Sequence, residues 1–220
     1  MNMAPVNRNI ELQVRALMIL EASRGAGITP LPAEVFHNIA YFANILAPIY
    51  SAKALDGKVL RLKNGPYYPE LQNQLDWLVL GGYIKISNLQ YHYLDDLNNW
   101  RVFADYELNI EKASSTIEHL NSWRSEYEMF TFLKKLTLAL TELSDKDIIN
   151  SNEFDATYAD QSVDFGNVID FGEWVHDNPS VNAAEFVQES LPNYLITKEL
   201  KLNFYIRHLS QKLLMGRVAK

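Results

Sequence analysis

The feature that most constrains this chain lies between residues 10 and 105, where three stretches with helical spacing precede two with strand alternation. Residues 10–23 place Ile10, Val14, Leu17 and Leu20 or Glu21 on one side of a helix, with Glu11 and Arg15 outside. Gly25 and Gly27 end it. Pro32 suits a first helical turn, and Val35, Phe36, Ile39, Phe42 and Leu46 form a second stripe that Pro48 terminates. A connector over residues 50–66 carries a short strand alternation at Leu60 and Leu62 and a turn at Asn64-Gly65-Pro66. Pro69-Glu70 opens a third helix with Leu71, Leu75, Leu78 and Val79 inward and Gly81-Gly82 at its end. Tyr83 to Ser87 alternates as a strand that continues through Leu89, Tyr91 and Tyr93. Residues 95–99 turn, and Trp100 to Ala104 pairs back. Three helices followed by a hairpin is the order of a winged helix, and it leaves no long structureless loop.

From Ile110 to Ile149 the spacing predicts one long helix or two abutting ones, with Ile117, Leu120, Trp123, Tyr127 and Phe130 on one face and Phe132, Leu133, Leu136, Leu140 and Leu143 continuing it. Residues 150–178 break that pattern. Ser180 to Leu191 reads as a short helix and Leu195 to Met215 as a final amphipathic one, with Leu202, Tyr205, Ile206, Leu209 and Leu213 on one side. The expected class is mostly α with a small β-hairpin: a winged-helix domain over 1–108, then a helical extension over 109–220. No apolar run approaches the ~20 residues that cross a bilayer, and Met1 to Asn9 lacks the character of a signal peptide. The expected location is the cytoplasm.

Charge is segregated along the chain. The net charge is −7, yet residues 1–146 are close to neutral. Ten acids and no lysine or arginine fall between Asp147 and Thr197, and the tail from Lys198 to Lys220 sums to +5. An acidic belt beside a basic tail implies either internal pairing or two interaction surfaces of opposite sign.

The chemistry that needs particular residue types is scarce. With no cysteine, thiolate catalysis, disulfide scaffolds and thiolate metal sites are excluded. The histidines, His37, His92, His119, His176 and His208, include no pair three or four apart on a helix. No nucleophile elbow, phosphate loop or dinucleotide turn occurs. Asp164-Phe165-Gly166 and Asp170-Phe171-Gly172 repeat a triplet known from kinases, but no glycine-rich loop or catalytic-loop segment accompanies them. The aspartates of 147–177 lack calcium-loop spacing. No catalytic residue, cofactor site or metal site is therefore expected.

Two binding readings remain. In the first, Phe154, Tyr158, Phe165, Phe171 and Trp174 anchor a protein partner that the surrounding acids steer; a solvated acidic loop is the plainer alternative. In the second, the third helix offers Gln72, Asn73 and Gln74 to base edges while Lys58, Arg61, Lys63, Lys85 and Arg101 meet phosphate. That helix also carries Glu70 and Asp76 and no cation, which favours protein contact over DNA.

The opening segment, residues 9–22 (Asn9-Ile10-Glu11-Leu12 through Leu20-Glu21-Ala22), resembles the start of the middle components of bacterial ABC-three-component systems, among them the small subunit of Lamassu-type anti-phage defence. Leu71, Leu75, Leu78 and Gly81-Gly82-Tyr83-Ile84 are similar to the helix before that family's wing. The likeness covers about the first 100 residues, and Phe36 to Phe42 is apolar where the family's second helix is polar. The resemblance implies a non-enzymatic adaptor between an SMC- or Rad50-like ATPase and an effector nuclease, with DNA met only inside the complex, no membrane, and no catalytic residue carried over. The alternative is a winged-helix transcription regulator or antitoxin that binds DNA alone.

Overall fold

Helix α2 (Ala33–Leu46) is apolar on nearly every side, and thirteen of its fourteen residues are buried. A helix of that kind becomes central rather than lying on a surface. Full burial of Phe36, Tyr41 and Phe42 contributes roughly 1.5–3 kcal/mol each. The computed structural model describes residues 5–55, 58–95, 98–155, 158, 164–170, 179–183 and 196–218. Around α2 stand α1 (Pro5–Gly25), α3 (Pro69–Leu80), α4 (Ile110–Asn121), α5 (Arg124–Leu140), α6 (Asp145–Asn150) and α7 (Lys198–Val218). The protein is mostly helical with small antiparallel sheets.

The strands are β1 (Leu31–Pro32), β2 (Lys58–Leu62), β3 (Gly65–Tyr67), β4 (Ile84–Leu94), β5 (Asn99–Leu108) and β6 (Val168–Asp170). They form two three-stranded sheets, ordered β1-β5-β4 and β3-β2-β6. The β content therefore exceeds the single expected hairpin. Leu31–Pro32, read as a helix opening, pairs with Tyr106 and Asp105 of β5. The connector over 50–66 supplies β2 and the start of β3, and β6 crosses from the acidic segment to pair with β2, setting Lys58 opposite Asp170.

Among the described residues, beside a small cluster of Leu62, Tyr67 and Leu94, the main core draws on both halves of the chain. Leu12, Phe36, Leu71 and Tyr106 share it with Phe132, Leu136, Tyr205 and Leu209. The division at residue 108 thus does not separate two cores. The 110–149 region, expected as one long helix or two abutting ones, is broken twice into three helices. The first break falls at Ser122-Trp123; the second follows Leu140, and Ser144 caps α6 by accepting from the Asp147 amide at 3.2 Å. Trp123 and Tyr127, expected on the buried face, are exposed.

Helix α1 corrects its expected orientation as well. Ile10 is exposed, while Arg15, read as an outward residue, is 8% exposed. Leu17 and Leu20 are buried as expected, and Leu12, Ala16 and Ile19 join them from other sides, because α1 is packed by α3, α5 and β5 at once. A helix with several neighbours no longer obeys a single stripe.

The segregated charges are only partly reconciled by the fold. In α7, Glu199 pairs with Lys135 of α5 at 2.8 Å and Arg207 with Glu142 at 3.1 Å. Among the described residues these ion pairs join the tail to the α5 region, not to the acidic belt. Asp155 of that belt is fully buried. Its Oδ1 accepts from the Tyr41 hydroxyl and from the Tyr158 amide (2.9 Å). Its Oδ2 accepts from Ser180 Oγ (2.8 Å) and from the Tyr205 hydroxyl. One carboxyl group therefore ties α2, the belt and α7 together. No described helix is long and apolar enough to cross a membrane.

Candidate docking face

Helix α3 turns two of its three expected base-reading residues inward. Gln72 and Gln74 are buried with Leu71, Leu75 and Leu78. Gln74 Oε1 accepts from Gln13 Nε2 of α1 at 2.8 Å. Gln72 is the hub of a buried chain of hydrogen bonds. The Tyr68 amide donates to His37 Nδ1 at 3.3 Å, which leaves His37 Nε2 to donate to Gln72 Oε1 at 3.0 Å. Gln72 Nε2 then donates to Tyr106 Oη of β5 (2.9 Å) and to Asp76 Oδ1 (2.8 Å). Burial pulls the His37 imidazole down to about 4, against a smaller opposing pull from the Gln72 hydrogen bond. The ring is thus neutral at neutral pH, in the one tautomer this chain requires.

This network presses α3 against α2 and β5 and leaves a defined outer face. Asn73, Asp76, Trp77 (63% exposed) and Leu80 (78%) point away from the core. Gly82 follows at φ +73, a conformation that strains residues with a Cβ, so that the chain reverses into β4. In the β4–β5 pair, Ile84 and Ile86 face Leu108 and Tyr106, and a bulge between Ser87 and Gln90 includes Asn88 at φ 50. Beyond the bulge, Tyr91 stands opposite Val102 and Tyr93 opposite Trp100. Near the base this side of the hairpin is core, with Ile84, Ala104, Tyr106 and Leu108 buried. Toward the tip the same alternation runs on past the core, so Ile86, Leu89, Tyr91, Tyr93, Trp100 and Val102 are exposed. Tyr93 and Trp100 meet edge to face, 5.5 Å between centroids. Between α3 and the hairpin lies a groove of about 470 Å³ that includes Asp76, Leu80, Ile86, Leu89, Trp100 and Val102. Apolar surface gathered in this way, with aromatic anchors and few charges, has the composition of the centre of a protein interface.

Of the five residues expected to touch phosphate, Arg101 lines this groove and the other four do not. Lys58, Arg61 and Lys63 belong to β2 and its turn, whereas Lys85 and Arg101 lie on β4 and β5. Lys58, Lys63 and Lys85 are exposed. Arg61 is not placed to meet a phosphate. Its side chain is 8% exposed, with the guanidinium carbon 5.4 Å from the Tyr158 ring centre and 4.7 Å from that of Phe165. Arg101 is half-buried, 5.9 Å from the Tyr67 ring centre.

The aromatic anchors expected in the acidic belt are also redistributed. Tyr158 is buried and donates its hydroxyl to the Leu62 carbonyl at 2.7 Å, so it holds β2 rather than a partner. Phe154 packs on the core and against Gly216 of α7, where an added Cβ would lie 3.0 Å from its Cζ. Phe165 is exposed beside Arg61. Phe171 and Trp174 lie outside the described residues. Among the described residues, no group of three histidine, aspartate or glutamate side chains is arranged to hold a metal ion.

The outer face of α3 and the hairpin tip went unread as a site in the sequence. A signal was present: Trp77 stands off the α3 stripe, and Leu89, Tyr91 and Tyr93 keep alternating beyond the length a small core can cover. No protein-family model, curated protein or solved structure matches this chain.

Proposed function

We propose that the chain is a non-enzymatic adaptor whose first 108 residues form a winged helix that docks protein instead of reading DNA. The observation that carries this reading is the chemistry of α3 and the hairpin tip. Where a recognition helix needs arginine, lysine, asparagine or glutamine toward the bases, α3 presents Glu70, Asp76, Trp77 and Leu80 with Asn73 alone of the reading types. The winged-helix part draws support from the order α1-β1-α2-β2-β3-α3-β4-β5, that of a winged helix with the β2–β3 pair inserted before α3, and from β1 closing on β5 beside β4. A net charge of −7 weighs further against autonomous binding to a polyanion. The resemblance of residues 9–22 and 71–84 supplies the assembly: an anti-phage defence complex in which this subunit bridges an SMC- or Rad50-like ATPase and an effector nuclease.

The test is co-purification of the full chain with the ATPase and nuclease encoded beside it, followed by light scattering. The expected result is a complex of fixed stoichiometry that Trp77→Asp with Leu80→Asp breaks. Both side chains are exposed, so the unfolding free energy of the isolated double variant in urea should stay within about 0.5 kcal/mol of the parent. No association with either protein overturns the reading. Tight, salt-sensitive binding of the isolated chain to its own promoter, lost on replacing Lys58, Lys63 and Lys85, replaces it with the regulator or antitoxin reading.

A further inference from the structure

Helix α1 buries a guanidinium that the fold leaves short of partners. Arg15 donates through Nη2 to the Lys53 carbonyl at 3.1 Å. Its Nη1 has no hydrogen-bond partner among the described residues. No carboxylate is bonded to it. Glu11 pairs with Lys53 at 2.6 Å, Glu128 with Arg124 at 3.0 Å, and Glu126 accepts only from Ser125, at 3.3 Å. Burial pulls the guanidinium down to about 10, against the opposing pull of Glu126 and Glu11, so it stays charged at neutral pH. A buried charge without a bonded counter-charge is costly, and proteins seldom keep one idle.

Arg15 also forms part of the wall of a cavity of about 450 Å³ between α1, the Tyr50–Lys53 turn and the α4–α5 junction. That volume falls in the range of small-molecule sites. Val14, Tyr50, Leu120 and Met129 give it apolar walls, and the exposed Ile10 and Trp123 border it. Two of the cavity's carboxylates are already offset, Glu11 by Lys53 and Glu128 by Arg124. The two groups left are the deeply buried Arg15 and the more exposed Glu126, whose charge water screens. A single negative charge directed at Arg15 is therefore favoured. A phosphate dianion brings a second negative charge that Arg15 alone does not offset and is not.

We propose that this cavity binds a monocarboxylate with a compact apolar body, the carboxylate set against Arg15 and the body against Val14, Tyr50, Trp123 and Met129. Charge-assisted pairing of guanidinium with carboxylate supplies the selectivity. The same chemistry is offered by a small free acid and by the terminal carboxylate of a peptide ending in an apolar residue.

The experiment titrates the full chain with 3-phenylpropionate, indole-3-acetate and hexanoate, each beside its carboxamide. Binding is followed by calorimetry and by the Trp123 indole N–H resonance, assigned through Trp123→Phe. At least one acid should saturate the site and bind about tenfold or more tightly than its amide. Arg15→Met should lower the acid to the level of the amide. Ala52→Phe, which fills the cavity and leaves Arg15 in place, should abolish binding; it and the acid–amide ratio carry the test if Arg15→Met fails to fold. A short peptide ending in phenylalanine, free and amidated, separates the sources: tighter binding of the free peptide than of the small acids assigns a chain terminus, and the reverse assigns a small molecule. Three results overturn the proposal: no saturation by any acid or free peptide up to about 10 mM, amides equal to acids, or inorganic phosphate binding as well as the acids.

Discussion

Replacing Tyr205 by phenylalanine tests how α7 is held to the rest of the protein. The ring is buried and its hydroxyl donates to Asp155, as do Tyr41, Ser180 and the Tyr158 amide. Phenylalanine keeps the ring and removes only the oxygen, so neither cavity nor clash confuses the result. Leaving a buried acceptor short of a donor costs about 1–3 kcal/mol, and Asp155 is fully buried, so water cannot take the vacated position without reorganising the core. The expected loss is about 2 kcal/mol. With a urea m-value of about 2 kcal/mol/M, the midpoint falls by about 1 M while m is unchanged. Asp155→Ala is the harsher variant: three hydroxyls and one amide lose their acceptor, at about 1–3 kcal/mol each before shared relaxation. A loss of about 4 kcal/mol or more is expected, a large part of the 5–15 kcal/mol typical of a domain. The assay is equilibrium urea unfolding followed by far-ultraviolet circular dichroism. A change below about 0.5 kcal/mol for Tyr205→Phe at constant m refutes the reasoning, because the carboxyl would then be as well satisfied by solvent as by α7.

His37 predicts a pH dependence. The folded imidazole protonates near 4 and the unfolded one near its ordinary 6.5. The unfolded chain therefore binds more protons between those values, and stability falls as pH drops through that window and is flat above it. Between pH 7.5 and 5.0 the loss from this group should be about 2 kcal/mol; urea midpoints at the two values measure it, and an equal loss in His37→Gln would assign it elsewhere. Gln72→Ala removes the partner of His37, Tyr106 and Asp76 together. It should cost about 2–3 kcal/mol in a thermal melt, and a loss within about 0.5 kcal/mol would show that the network does not hold α3.

Much of the fold was legible in the sequence. Pro69 and Gly81-Gly82 bracket α3 as read, and β4 ends at Leu94 and β5 begins at Asn99 about where the turn was expected. Such punctuation is local, since proline and glycine act through their own backbone geometry. The candidate site was less legible. Gln72 and Gln74 look like surface residues in a sequence because their type is usually exposed, and only Gln13, His37 and Tyr106, brought in from α1, α2 and β5, make their burial tolerable. Arg61 looked like a phosphate contact until Tyr158 and Phe165 closed over it from the far side of the chain.

The sequence by itself determined the long helices α1, α2, α3 and α7, the β4–β5 hairpin and the order in which they follow, because period and punctuation are properties of neighbouring residues. Tertiary structure alone decided which side is inside where the period misled, in α1 and around Trp123. Arg15 lies in and Ile10 out because α1 has neighbours on several sides. Trp77 and Trp123 lie out because the core ends before it reaches them. β6 found β2 through backbone hydrogen bonds, which carry no side-chain code. Burial is a relation between distant segments, and no single segment records it.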